Sequence, residues 1–154
     1  MKKCDHTSVG MLVWRSGKIL MISRNRPPFG ISVPAGHVDG DTSFEEAAKR
    51  ELQEEVGLRA DEIKLVAEGR KENKCRRIDG NWHYWRLYAI EASGEAVGDV
   101  EETKGVYWLD KIKLAELGIR TKSYLNGDVS EEDWVASPGL EPVMYEWFKE
   151  IKII

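Results

Sequence analysis

Cysteine is nearly absent from this chain: Cys4 and Cys75 are the only two among 154 residues. Neither stands in a CxxC pair or in a Cys/His cluster of ligand spacing. Neither a disulfide framework nor a zinc motif is therefore suggested, and two free thiols in a reducing compartment are expected. Long apolar runs are missing as well. No stretch approaches the roughly 20 apolar residues needed to cross a bilayer, and in the opening MKKCDHTSVGMLVW the residues Asp5, His6, Thr7 and Ser8 interrupt any apolar signal core. A cytoplasmic protein without a membrane partner is the expectation. Internal repeats, low-complexity tracts and linkers are absent too, so residues 1–154 are expected to form a single domain. Nor is there an excess of positive charge. The formal net charge is −4, and bulk electrostatics would not draw the chain to nucleic acid or to an anionic membrane. An anionic small molecule is not excluded, because bound cations can reverse the sign of a local site.

What is there is a globular composition, 42% hydrophobic and 32% charged, on a chain long enough to bury a core. Val9 to Trp14 and Ile19 to Ile22 flank Arg15-Ser16-Gly17-Lys18 and read as a β-hairpin. Pro27-Pro28-Phe29-Gly30 breaks regular structure, and Pro34 biases Val33 toward an extended conformation. Thr42 or Ser43 can cap a helix from about Phe44 to Val56. Its buried stripe is Phe44, Ala48, Leu52 and Val56, and Gly57 suits a left-handed end. Ile63 to Glu68, Trp82 to Ala92 and Val106 to Leu109 read as strands. A last helix opens at Glu141-Pro142 and carries Val143, Met144, Trp147, Phe148 and Ile151 on one face. Strands mixed with two well-marked helices imply an α/β (α+β) fold, a sheet covered by helices.

The first of these helices carries the chemistry. Glu51, Glu54 and Glu55 stand at i, i+3 and i+4, which gathers three carboxylates on one narrow arc bordering the apolar stripe. The other acids of the helix have cations at i+4: Glu45 faces Lys49, and Glu46 faces Arg50. Like charges at such spacings cost a few tenths of a kcal/mol per pair, roughly, and more when partly buried. A hard divalent cation is the simplest compensation.

At this point the residues resemble the Nudix box, G-x5-E-x7-R-E-U-x-E-E-x-G-U with U aliphatic. Gly36, Arg50, Glu51, Leu52, Glu54, Glu55, Gly57 and Leu58 all fall at the required spacing, and Val33-Pro34-Ala35 resembles the usual lead-in. One position departs: Thr42 stands where the first box glutamate is expected, with Asp41 beside it. The resemblance implies an α/β/α sandwich with a mixed central sheet. It also implies a pyrophosphohydrolase that cleaves a phosphoanhydride in a nucleoside diphosphate derivative or nucleoside triphosphate. It further implies Mg²⁺ as cofactor, with Mn²⁺ able to substitute, and a metal-activated water as nucleophile. By the same resemblance Glu51, Glu54 and Glu55 are metal ligands, and a backbone carbonyl of Ala35 or Gly36 completes the coordination. Glu54 or Glu55 acts on the water, Arg50 orients the carboxylates, and Glu102 or its neighbour Glu101 adds a loop carboxylate.

Substrate contacts are less defined. Arg24, Arg26, His37 and Trp82 are candidates, the arginines because guanidinium groups suit phosphates and Trp82 because an indole can stack on a base. The basic stretch Arg70 to Arg77 reads as a turn between strands or as an anion-steering loop. The expected partner is a small nucleotide-type molecule, with a homodimer left open. Two alternatives stay open beside the main one: hydrolysis at the 5′ polyphosphate end of RNA, and a non-catalytic nucleotide-binding module of the same fold.

Overall fold

The computed structural model describes residues 1–154. Its centre is a mixed sheet in which β1 (Thr7–Leu12) pairs in parallel with β7 (His83–Ser93), Thr7 opposite Tyr84 and Leu12 opposite Ala89. The short β5 (Ala35–Gly36) lies antiparallel on the other side of β1, and β6 (Arg59–Lys71) lies antiparallel to β7 with two register shifts. A second sheet is built on β3 (Lys18–Arg24), which pairs with β2 (Trp14–Arg15), β4 (Ile31–Ser32) and β8 (Thr103–Leu109). Ser16 and Gly17 join β2 to β3 with φ of 51° and 76°. This pair of left-handed residues matches the twist of the flanking strands.

The middle stretches of β1 and β3 are apolar on successive residues because both faces are covered. Met11, Leu20, Ile22, Tyr88 and Ile90 point into one core, under α1 (Phe44–Val56). Their neighbours Leu12, Ile19, Met21 and Leu87 point into the other. That second core is closed by Leu114 of α2 (Lys111–Leu125) and by Val143, Met144, Trp147 and Phe148 of α4 (Pro142–Glu150). The short α3 (Glu131–Ala136) buries Trp134, whose indole N–H donates to the Phe29 carbonyl. The result is the expected sandwich of helices about a mixed sheet. No helix is long and apolar enough to cross a membrane.

Helix α1 begins and ends for local reasons. Ser43 accepts the Glu46 N–H at 3.1 Å, and Gly57 takes φ 69° while donating to the Gln53 carbonyl. Three readings of the sequence need correction. The first apolar run is split: residues up to Leu12 belong to the central sheet, and only Trp14–Arg15 forms the hairpin. The charge pairs along α1 also differ. Lys49 reaches Glu46, Glu45 accepts the Tyr88 hydroxyl, and Arg50 turns toward Asp41, Glu51 and Glu54. Finally, α2 and α3 are additional helices. The buried face of α2 is Leu114, Gly118 and Thr121, too poor in large apolar groups to register as a stripe, while Ile112 and Ile119 are exposed.

Leu52 is fully buried at the centre of the α1 core. Leu52→Ala should lower unfolding stability by roughly 2–5 kcal/mol, since the lost transfer energy and the cavity add. Urea denaturation checks this, with the midpoint falling at an unchanged slope.

Candidate active site

The box residues meet at the mouth of a cleft of about 610 Å³, lined among others by Arg24, Ala35, Gly36, Arg50, Glu51, Glu54, Glu55 and Glu102. Packing of Ala48, Leu52 and Val56 against the sheet fixes the rotation of α1, and that rotation carries Glu55 below the surface. Its Oε2 accepts the Ala35 N–H at 3.0 Å, so β5 holds this carboxylate in place. Glu51 lies directly against Gly36, where a Cβ would overlap the carboxyl group. Glycine is required at Gly36 by this close approach, since its φ is unremarkable. Glu54 is the exposed member of the three.

Arg50 organises the group from one side. Its guanidinium donates to Asp41 at 2.8 Å, to Glu51 at 2.8 Å, to Glu54 at 3.1 Å and to the His37 carbonyl at 3.0 Å. Asp41, which in the sequence is marked only by its place beside Thr42, is the acid that anchors the Arg50 Nε. The side chain of Thr42 is exposed, and it is Asp41 that reaches back to the helix.

One arginine cannot balance so many acids out of water. Burial pushes the Glu51 carboxyl up to about 7, even though the Arg50 charge opposes the rise. Burial, joined by the charge of Glu51, holds Glu55 well above the ordinary carboxylate range. In the protein alone these groups therefore favour their protons. Carboxylates drawn out of water on one helix arc with too little positive charge are oxygen donors of the kind that a hard cation such as Mg²⁺ prefers.

A loop brings the next acids. The last carbonyls of α1 are capped by it: Val97 N–H donates to Val56 O at 3.0 Å and Asp99 N–H to Glu55 O at 2.8 Å. The Asp99 carboxylate in turn accepts the N–H groups of Glu101 and Glu102, at 2.9 and 3.1 Å. Both glutamates line the cleft, and the charge of Glu102 is felt at Glu55, opposing its ionisation. Arg26 lies 3.8 Å from Glu101 and 3.6 Å from Glu102, and is not among the cleft-lining residues. Arg24 does line it; its Nε donates to the Pro28 carbonyl at 2.6 Å and sits 3.8 Å from the buried Glu141.

On the opposite wall the β6–β7 connection contributes Lys74, Arg76 and Arg77, the last held by Asp39. The basic stretch is thus not merely a soluble turn. His37 also lines the cleft. Trp82 does not: its ring stacks on His6 at 4.2 Å and carries the Arg70 guanidinium at 4.1 Å, so the expectation that it meets a base is not supported by its position.

The NUDIX domain family model matches residues 5–125. Among solved structures, a MutT NUDIX hydrolase from Burkholderia pseudomallei is 24% identical with a TM-score of 0.61, over 70% of this chain and 84% of its own. A MutT protein from Methanosarcina mazei is 16% identical with a TM-score of 0.68, over 99% of this chain and 96% of its own. The NUDIX domain of Shewanella oneidensis NrtR, solved with ADP ribose, is 18% identical with a TM-score of 0.60, over 74% of this chain and 78% of its own.

The Glu51 shift sets a pH dependence. Its value in the folded protein, about 7, lies above the ordinary 4.5, so its contribution to stability is full below pH 4.5 and is lost as pH rises through 7. In metal-free protein, the melting temperature should fall across this interval, and it should fall less in Glu51→Gln. Calorimetry of the two proteins side by side decides the matter; equal slopes would count against the buried carboxylate.

Proposed function

The chain belongs to the NUDIX family, and on that footing we propose that Mg²⁺ held on the Glu51, Glu54 and Glu55 arc serves its hydrolysis of a phosphoanhydride bond. The family is one of pyrophosphohydrolases acting on nucleoside diphosphate derivatives. The observation that carries the metal reading is the part-buried Glu51 and buried Glu55, set against β5 with Arg50 and the Ala35 N–H as hydrogen-bond partners and the Arg24 charge acting on Glu55 from further off. Bound there, Mg²⁺, or Mn²⁺ in its place, would polarise phosphoryl oxygens and lower the pKa of a coordinated water.

The protein's own groups have distinct tasks in this reading. Glu51 and Glu55 would ligate the metal through carboxylate oxygens, with a backbone carbonyl of Ala35 or Gly36 beside them. Arg50 holds Glu51 and Glu54 in place through its Nη1, and Asp41 and the His37 carbonyl keep the guanidinium from swinging away. The exposed Glu102 carboxylate is the group we assign to accept the proton of the attacking water. It can then release that proton to solvent. Arg24, Lys74 and Arg76 supply positive charge along the cleft for the phosphate chain of the substrate. NrtR with its bound ADP ribose supports a nucleoside diphosphate derivative as the ligand class. Residues 126–154, beyond the matched segment, pack Trp134, Trp147 and Phe148 into the structure, which supports reading the chain as one domain.

Glu55→Gln should reduce Mg²⁺-dependent turnover by roughly 10²-fold or more, while the melting temperature of the metal-free protein stays the same or rises. Phosphate release should be followed over nucleotides, nucleotide sugars, dinucleotides and triphosphorylated RNA, with product analysis to identify the broken bond. Turnover within a few-fold of wild type would sink the assignment of Glu55.

A further inference from the structure

In the wall of the glutamate cleft, four side chains distant in sequence converge: Cys4, His37, Cys75 and His83 each present a sulfur or ring nitrogen, and these atoms all lie within 4.8 Å of one another. We propose that Cys4, His37, Cys75 and His83 form a closed tetrahedral zinc site that fastens the β6–β7 loop to the start of β1 and to the turn after Gly36. His37, Cys75 and His83 line the same cleft as the carboxylate arc, but the four donors are distinct from the three glutamates, and the inference does not depend on the hydrolytic reading.

The spacing agrees with the metal. With Zn–S near 2.3 Å and Zn–N near 2.05 Å, a tetrahedron places sulfur and nitrogen about 3.6 Å apart. Here Cys4 Sγ lies 3.4 Å from His83 Nε2 and 3.6 Å from His37 Nε2. The orientation of His83 agrees as well. Its Nδ1 lies 3.0 Å from the Asn73 carbonyl and 3.2 Å from Asn73 Oδ1, so Nδ1 carries the proton and the Nε2 lone pair faces the sulfurs. A metal-binding histidine is commonly fixed in this way by a partner on its far nitrogen. Asn73 is itself steadied by the Trp85 indole N–H at 3.0 Å. On the sulfur side, burial raises the Cys4 thiol in the protein alone, and the His6 N–H, donating to Cys4 Sγ at 3.3 Å, opposes that rise in favour of thiolate. Two thiolates and two neutral imidazoles would cancel the charge of Zn²⁺, which a mostly buried position requires.

The loop has need of such a fastening. Residues 72–82 contain no helix or strand and few buried side chains, and Ile78 is nearly half exposed. What orders them is a handful of backbone bonds, Cys75 N–H to Gly80 O and Ile78 N–H to Lys2 O among them, with the Arg77–Asp39 pair and the Trp82–His6 stack at the surface. Gly80 packs so closely on Cys75 Sγ that a side chain there would displace the sulfur. The same loop carries Lys74 and Arg76 to the cleft wall, and the His37 carbonyl holds Arg50. The zinc site would therefore shape the cleft while taking no part in the reaction.

The test uses the full-length protein, reduced, stripped with a chelator and titrated with Co²⁺ and then Zn²⁺. One equivalent of Co²⁺ should produce intense visible bands of tetrahedral cobalt and a near-ultraviolet thiolate charge-transfer band, and one equivalent of Zn²⁺ should abolish them. The bands should persist in Glu51→Gln/Glu55→Gln and weaken sharply in Cys75→Ser. Zinc should raise the melting temperature of wild type by roughly 5–15 °C. Absence of the charge-transfer band in reduced wild type overturns the proposal, and that result does not depend on whether Cys75→Ser folds. So does a band that survives in a folded Cys75→Ser protein, or a Cys4–Cys75 disulfide in protein purified without reductant.

Discussion

The structure turns on one consequence of packing: burying the apolar stripe of α1 takes Glu55 out of water. Leu52 and Val56 each contribute roughly 1.5–3 kcal/mol when buried, and the helix cannot hold both against the sheet without carrying the carboxylate at residue 55 beneath β5. Glu51, one turn earlier, is drawn in against Gly36 for the same reason. The two acids are thereby placed where ionisation is costly. A proton relieves that cost in the protein alone, and a divalent cation can relieve it in the working enzyme. The proposed metal affinity would in this sense be a by-product of the hydrophobic effect acting on a helix whose apolar and acidic arcs adjoin.

The elements that were legible in the sequence were those with strong local signals. Ser43 and Gly57 mark the ends of α1, and Glu141-Pro142 marks the start of α4. The spacing of the box gathers Glu51, Glu54 and Glu55 on one arc of α1, with Arg50 a turn before Glu54. Helix α2 escaped because its inward face is built from Gly118 and Thr121, whose packing value depends on what they meet. The division of the first apolar run between two sheets was hidden for a similar reason. Both faces of β1 are buried, so its composition gives no sign of where one sheet ends and the other begins.

Around the site, the limits of sequence reading were those of distance along the chain. Asp41 contacts Arg50 only because the turn before α1 folds back. Trp82 looked like a stacking surface, yet it is occupied by His6 and Arg70. The two cysteines looked isolated because the residues between them are the ones that form the sheet. Parallel pairing of β1 with β7 sets Thr7 beside Tyr84, and that register, with the Cys4 N–H bonded to the Ile78 carbonyl, brings Cys4 within reach of His83.

The way α1 ends has a mechanical meaning. Its final carbonyls are hydrogen-bonded by Val97 and Asp99, and Asp99 in turn braces the backbone of Glu101 and Glu102. The carboxylates on the helix and those on the loop are thus parts of one hydrogen-bonded linkage. Any rocking of the loop to admit or release a ligand must pull on the last turn of α1, and so on the residue whose side chain lies deepest in the site. Opening and loosening of the carboxylate arc become one motion, which ties the freedom of the entrance to the tightness of the grip.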